Sequence, residues 1–236
     1  QNTYNSLPYL LNQFDAIEYH YSANLWHHYK QYNKHKAPDI QPSFVGFAPI
    51  QYDDTFLSEQ IKTSSRNNQT ENQSYTSLPY TEAEVQGIAQ LFTQQNIRVQ
   101  LFSAQNATPT MLKQVVDGKA ATFIHIAGHG YYNEQHPELS GLVLSPPAGI
   151  VVSPISNKAE NLDKQSRLRA AVEVKEAMFY LSDTYGVDLN GTELVVLSCC
   201  DTGLGRFAPG EGMIAMNRGF LYAGAQNVIY TLFKVD

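Results

Sequence analysis

Two stretches decide the fold: Ile124-His125-Ile126-Ala127-Gly128-His129-Gly130, and Leu194-Val195-Val196-Leu197-Ser198-Cys199-Cys200-Asp201-Thr202-Gly203. Each is an apolar run that ends in a small residue and a reactive one. Short apolar runs of this kind read as strands buried on both faces of a parallel sheet. Each run leads into a strand's carboxyl end, where open α/β sheets place their sites. His129 and Cys200 are therefore expected at strand tips on one sheet edge, a base and a thiol placed to meet.

The neighbours of these two residues read differently. Alternation along a strand puts Cys199 and Cys200 on opposite faces, so only one can face a cleft. Cys199 continues the apolar run and reads as core filler. Cys200 stands where the strand stops, ahead of backbone N–H groups and a helix whose dipoles favour a thiolate. His125 and His129 are four residues apart, the spacing of a zinc pair on a helix. On a strand they lie roughly 13 Å apart at about 3.3 Å per residue, too far to share a metal. No metal is expected, and His125 reads as a core or supporting residue. His129, between Gly128 and Gly130, is expected to project into the cleft and act as the base. It would take the thiol proton and later protonate the leaving amine, for which an imidazole near its free pKa is suited. The developing oxyanion needs backbone donors, and the amides of Gly130 and Cys200 are the candidates. No third catalytic residue is evident. Gly203-Leu204-Gly205-Arg206-Phe207-Ala208 fits the dinucleotide fingerprint Gly-x-Gly-x-x-Ala. Pro209 interrupts the following helix start and no acid lies about 20 residues on, so no nucleotide cofactor is expected.

The totals exclude several classes. The chain has 236 residues, 43% hydrophobic and 16% charged, with a formal net charge of −6. There is no Lys/Arg-rich run, which argues against direct nucleic-acid binding. No apolar stretch is long enough to cross a bilayer, and residues 1–11 lack the basic start and apolar core of a signal peptide. The two cysteines are adjacent, a geometry that disfavours their bonding each other, so a cytoplasmic location is the default. The first residue is not Met, which suggests a fragment or a processed product.

Along the chain, Ala16–Tyr21 alternates like a strand, and Ser22 reads as the cap of a short aromatic helix. Ser43–Ala48 is a buried strand. Residues 53–78 are polar and aperiodic and are expected to form a long mobile loop. Thr81 and Glu84 suggest a capping box for a helix from Tyr80 to Gln95, with Val85, Ile88, Ala89 and Phe92 on its apolar side. Ile97–Phe102 is a strand. Thr108 caps a helix that starts at Pro109 and buries Met111, Leu112 and Val115. Ala121–Ala127 leads to His129, and 141–145 is a short antiparallel piece. Residues 146–169 form a second long loop. Val172–Leu181 reads as a helix. Leu194–Ser198 leads to Cys200, then come a glycine-rich turn, a helix from about Met213 to Tyr222, and a strand Asn227–Phe233. Strand and helix alternate, which predicts an α/β fold: a mostly parallel sheet with helices on both faces, in a single domain over 1–236.

Leu194–Gly205, Gly210-Glu211-Gly212 and Arg218–Ala225, together with the His125–Gly130 motif, resemble the CHAT family of caspase-like proteins. The resemblance implies a caspase-like sheet and a cysteine endopeptidase with His129 as base and Cys200 as nucleophile, and Gly130 matches the family's oxyanion donor. It implies a protein or peptide substrate and no cofactor. It also implies a larger protein, with helical repeats such as tetratricopeptide repeats before this part and further helices after it. Such proteins are often bacterial effectors held inactive until a partner or a nucleic-acid-guided complex releases them. Cys199 and Asp201 stand where the family usually has a small residue and a Glu. The loop after Val45 forms one wall of the specificity pocket by resemblance, which brings in Asp53. With Asp201 and Glu211 near the nucleophile, these acids would favour a basic residue before the scissile bond. The alternative from another class is a catalytically silent CHAT domain serving as a scaffold or binding module.

Overall fold

The computed structural model describes residues 27, 41–49, 77–117, 121–133, 135–146, 176–200, 205–208 and 212–231. The chain divides into two units, Gln1–Pro38 and Asp39–Asp236. The strand expected at 16–21, the helix after Ser22 and the bulk of the two long loops fall outside the described residues. The sheet and the helices packed on it belong to the second unit.

The apolar runs become strands, as their β-branched and aromatic content dictates. They are β1 (Ser43–Ala48), β2 (Arg98–Ser103), β3 (Phe123–Tyr131), β4 (Gly141–Val143), β5 (Met178–Tyr180), β6 (Leu194–Cys199) and β9 (Asn227–Tyr230), joined in one seven-stranded sheet. The parallel part runs β2-β1-β3-β6-β9. β4 and β5 add an antiparallel extension to the far end of β3. β7 (Arg206–Ala208) and β8 (Gly212–Ile214) form a separate two-stranded ribbon. The helices are α1 (Pro79–Gln94), α2 (Pro109–Asp117), the short α3 (Leu181–Thr184) and α4 (Met216–Tyr222).

Period-two alternation sorts the side chains onto two faces. Val45, Phe47, Ile124, Ile126, Val195, Leu197 and Cys199 join Leu112, Val115 and Val116 of α2 and Met216 and Phe220 of α4 in the main core. The alternate residues face α1. Phe92 of α1 stacks on Phe44 at 4.6 Å and tilts against Phe123 at 5.1 Å. Val85 packs with Ala48 and Ala127 in a smaller cluster. Gly46 lets α1 lie this close, because a Cβ there would collide with Val85. Helices lie on both faces of the sheet, α1 over β1, β2 and β3 on one and α2 and α4 on the other, as the alternation of elements predicts.

Four local expectations change. α1 begins at Pro79, and its N-cap Leu78 makes no side-chain cap bond. Thr81 sits inside the first turn, and its hydroxyl donates back to the Leu78 carbonyl at 2.8 Å, so no capping box forms with Glu84. Proline at the first helical position is the start signal that applies. The helix expected over Val172–Leu181 gives way, at Met178–Tyr180, to β5, because all three residues pair with β4 and Phe179 is buried in the main core. Before α4, Gly212–Ile214 is extended in β8 rather than helical. By contrast Thr108 does cap α2: the Met111 amide donates to its hydroxyl at 3.2 Å.

Candidate active site

β3 is the central strand, and it continues past the point expected from its apolar run. It carries through His129 and Gly130 to Tyr131 because β4 pairs with them. His129 is thus held in a ladder rather than at a loop tip. β6 stops at Cys199, and Cys200 is the first residue beyond it. The parallel register sets Gly128 beside Cys199, so the next residues on the two strands are His129 and Cys200. Neighbouring strands lie about 4.8 Å apart. The thiol and the imidazole therefore start from adjacent backbone positions at the carboxyl edge.

The faces also agree. His125 and Ala127 of β3 face α1, and His129 shares their parity. On β6, Leu197 and Cys199 face the main core, so the alternation carried one residue on directs Cys200 to the α1 face. Cys199 is buried and its sulfur donates to the Ile126 carbonyl at 3.4 Å. Burial pushes its thiol up to about 12. It stays protonated at any physiological pH and is inert packing. Cys200 is half-buried.

His125 is a supporting residue. It is 7% exposed and its Nε2 lies 2.7 Å from Glu84 Oε1 on α1. The pair ties α1 to β3 two residues below Ala127. The Glu84 carboxylate, expected at a helix cap, is used here instead. β3 is extended through both His125 and His129, which separates them as a strand does. No group of three or more metal-ligating side chains occurs among the described residues.

The direction of the Gly130 amide is set by the ladder. Leu144 N–H donates to Ala177 and Leu181 N–H donates to Ser140, so the even residues of β4 turn their polar groups to β5. Gly141 and Val143 must then turn theirs to β3, where they oppose Tyr131 and His129. Gly130 consequently points its N–H to the other edge of β3, towards the end of β6. The Leu194 amide donating to the Thr122 carbonyl gives the same parity at the start of the strand. The glycine amide faces the gap that opens where β6 ends and Cys200 begins.

Asp53, Asp201 and Glu211, the acids expected to set specificity, lie outside the described residues. Arg206–Ala208, the end of the glycine-rich fingerprint, is strand β7 rather than a helix start. Tyr131 and Tyr180, which the sequence did not single out, stand on the same face and edge as His129. Tyr131 shares its strand and parity; Tyr180 was hidden inside a presumed helix. No helix among the described residues is long and apolar enough to cross a membrane.

This arrangement defines a class: a mostly parallel α/β sheet, consistent with the caspase-like fold, with a histidine and a cysteine carried by neighbouring strands towards one edge of the sheet. The chain belongs to the CHAT domain family, whose description matches residues 4–236, essentially its whole length. That family is related to the caspase-like peptidases. A comparison with curated proteins finds no match to the chain.

Proposed function

We propose that this domain is a cysteine endopeptidase in which Cys200 attacks the scissile carbonyl and His129 serves as general base and then general acid. The carrying observation is the register that puts Gly128 beside Cys199 and hence His129 beside Cys200, on one face. The imidazole takes the thiol proton as the C–S bond forms, then delivers it to the departing amine as the C–N bond breaks. Water, deprotonated by the same imidazole, then attacks the thioester carbonyl; the C–O bond forms, the C–S bond breaks, and the proton stays with the imidazole and sulfur to restore the starting pair. The Gly130 amide, directed to the gap beyond β6, and the Cys200 amide are the donors for the oxyanion. Each preorganised donor of this kind contributes roughly 3–4 kcal/mol to the transition state.

The acids Asp53, Asp201 and Glu211 would give the pocket a preference for a basic residue before the scissile bond. The reading extends to a regulated bacterial effector in the cytoplasm, cleaving a protein partner and released by an activating partner or repeat domain. The test is a thiol-reactive peptidyl probe on the intact chain, with and without a candidate activator. Labelling at Cys200 that disappears in His129→Ala supports the peptidase. An unreactive Cys200 in the activated protein overturns it in favour of a scaffold.

A further inference from the structure

The edge that carries the thiol and the imidazole also carries two phenols. Tyr131 lies two residues past His129 on β3, and therefore on the same face. Tyr131 opposes Gly141, and Gly141 opposes Tyr180, so the two tyrosines flank a glycine in one row across β3, β4 and β5. Phe179 of β5 is in the main core, which turns Tyr180 to the His129 face. β5 approaches Gly141 so closely that a Cβ there would strike the Phe179 carbonyl oxygen and lie 3.0 Å from Tyr180 Cα. Tyr131 is near enough to Tyr180 to add to the upward push on its phenol. Both are half-buried, and Asn133 Nδ2 donates to the Tyr131 oxygen at 3.3 Å. Desolvation by burial raises both above the ordinary phenol range, so both stay neutral in physiological conditions.

Position gives this row its meaning. Odd residues of β3 turn their polar groups to β4 and even ones to β6, so β4 and β6 lie on opposite edges of β3. Reading across the carboxyl edge, the order is Cys200, His129, then Tyr131 with Tyr180. A histidine that protonates the leaving amine must have that amine over it, on the side away from the acyl sulfur. The residue after the scissile bond leaves in that direction, towards the phenols.

We infer that Tyr131 and Tyr180 form the subsite for the first substrate residue after the scissile bond, and that it takes a large uncharged side chain, aromatic for preference. This rests on the peptidase reading. Two rings offer a third an edge or a face, while a charged side chain would lose solvation against half-buried phenols.

The test digests a peptide library, randomised on both sides of the cut, with the intact chain and its Cys200→Ala, Tyr131→Ala, Tyr180→Ala and Tyr180→Phe variants. Cut sites are read by mass spectrometry. The wild type is expected to cut before Phe about five- to tenfold more often than before Gly. That ratio should collapse to about one in both alanine variants and survive in Tyr180→Phe. A wild-type ratio near one overturns the subsite. So does an unchanged ratio in the alanine variants, whether total cleavage persists or falls, because the tyrosines then act only on structure. In each of those cases Cys200-dependent cutting still stands, and the peptidase reading with it. No Cys200-dependent cutting at all sinks the peptidase reading and the subsite together.

Discussion

The two adjacent thiols should differ in reactivity, because burial silences one of them. Cys199 is 1% exposed, and burial lifts its thiol from 9.0 to about 12. At any pH below 9 that leaves Cys199 with roughly a thousandfold less thiolate than an ordinary thiol. Only the thiolate is alkylated, and burial further denies the reagent access. Cys200 lies half-buried at the end of β6. Native protein treated with iodoacetamide at pH 8 should therefore take up one equivalent quickly, on Cys200. Cys200→Ala should take up essentially none in the same interval, and Cys199→Ala should behave like wild type. In denaturant both thiols should react. Intact-mass spectrometry gives the counts. Rapid alkylation of native Cys200→Ala would refute the assignment of Cys199 to the core and, with it, the strand parity that directs Cys200 to the α1 face.

The same thiol has a linkage consequence. A folded-state value raised from 9.0 to about 12 means that the native state keeps a proton the unfolded chain has lost. Stability should be unaffected by this group below about pH 9 and fall as pH rises from 9 through 12, by about 1.4 kcal/mol per unit. Urea titrations should show that slope in wild type in excess of Cys199→Ala. Gly130→Pro removes the amide aimed at the oxyanion without deleting a bond to β4. It should lower kcat/KM about 10²–10³-fold, with the circular-dichroism spectrum retained; undiminished turnover would exclude that donor. Glu84→Ala leaves the buried His125 imidazole without its carboxylate and should cost about 1–3 kcal/mol in chemical denaturation. Gly46→Ala drives a methyl group into Val85, and should cost a similar ~1–3 kcal/mol by overpacking α1 on β1.

The parallel core was legible because its strands announce themselves. Ser43–Ala48, Phe123–Ala127 and Leu194–Cys199 are apolar runs bounded by small or polar residues; the first two are buried on nearly every side, and the third alternates buried with half-buried residues. From them came the two adjacent strands that carry His129 and lead to Cys200, and the burial of Cys199 beside a half-buried Cys200. What the pattern did not contain was pairing. His129 belongs to a strand, not a tip, because Gly141–Val143 lies against it, a tertiary contact with no local signal. Met178–Tyr180 sits in a stretch whose spacing also suits a helix; its pairing with β4 overrode the local preference. Tyr131 and Tyr180 carry no local signal for the same reason, since each gains meaning only from the row across Gly141. Thr81 and Glu84 have the spacing of a capping box, yet Pro79 starts the helix earlier and Glu84 has His125 as its partner.

Peptidase chemistry here requires the imidazole and the sulfur to share the space that the strand register assigns them. A crystal structure of the chain bearing a peptidyl aldehyde on Cys200 measures this directly. His129 is predicted within hydrogen-bond reach of the sulfur or the tetrahedral hydroxyl, with the Gly130 amide turned to the hemithioacetal oxygen. An imidazole directed to the α2 and α4 side of the sheet, or a Gly130 amide bonded to β4, would contradict it.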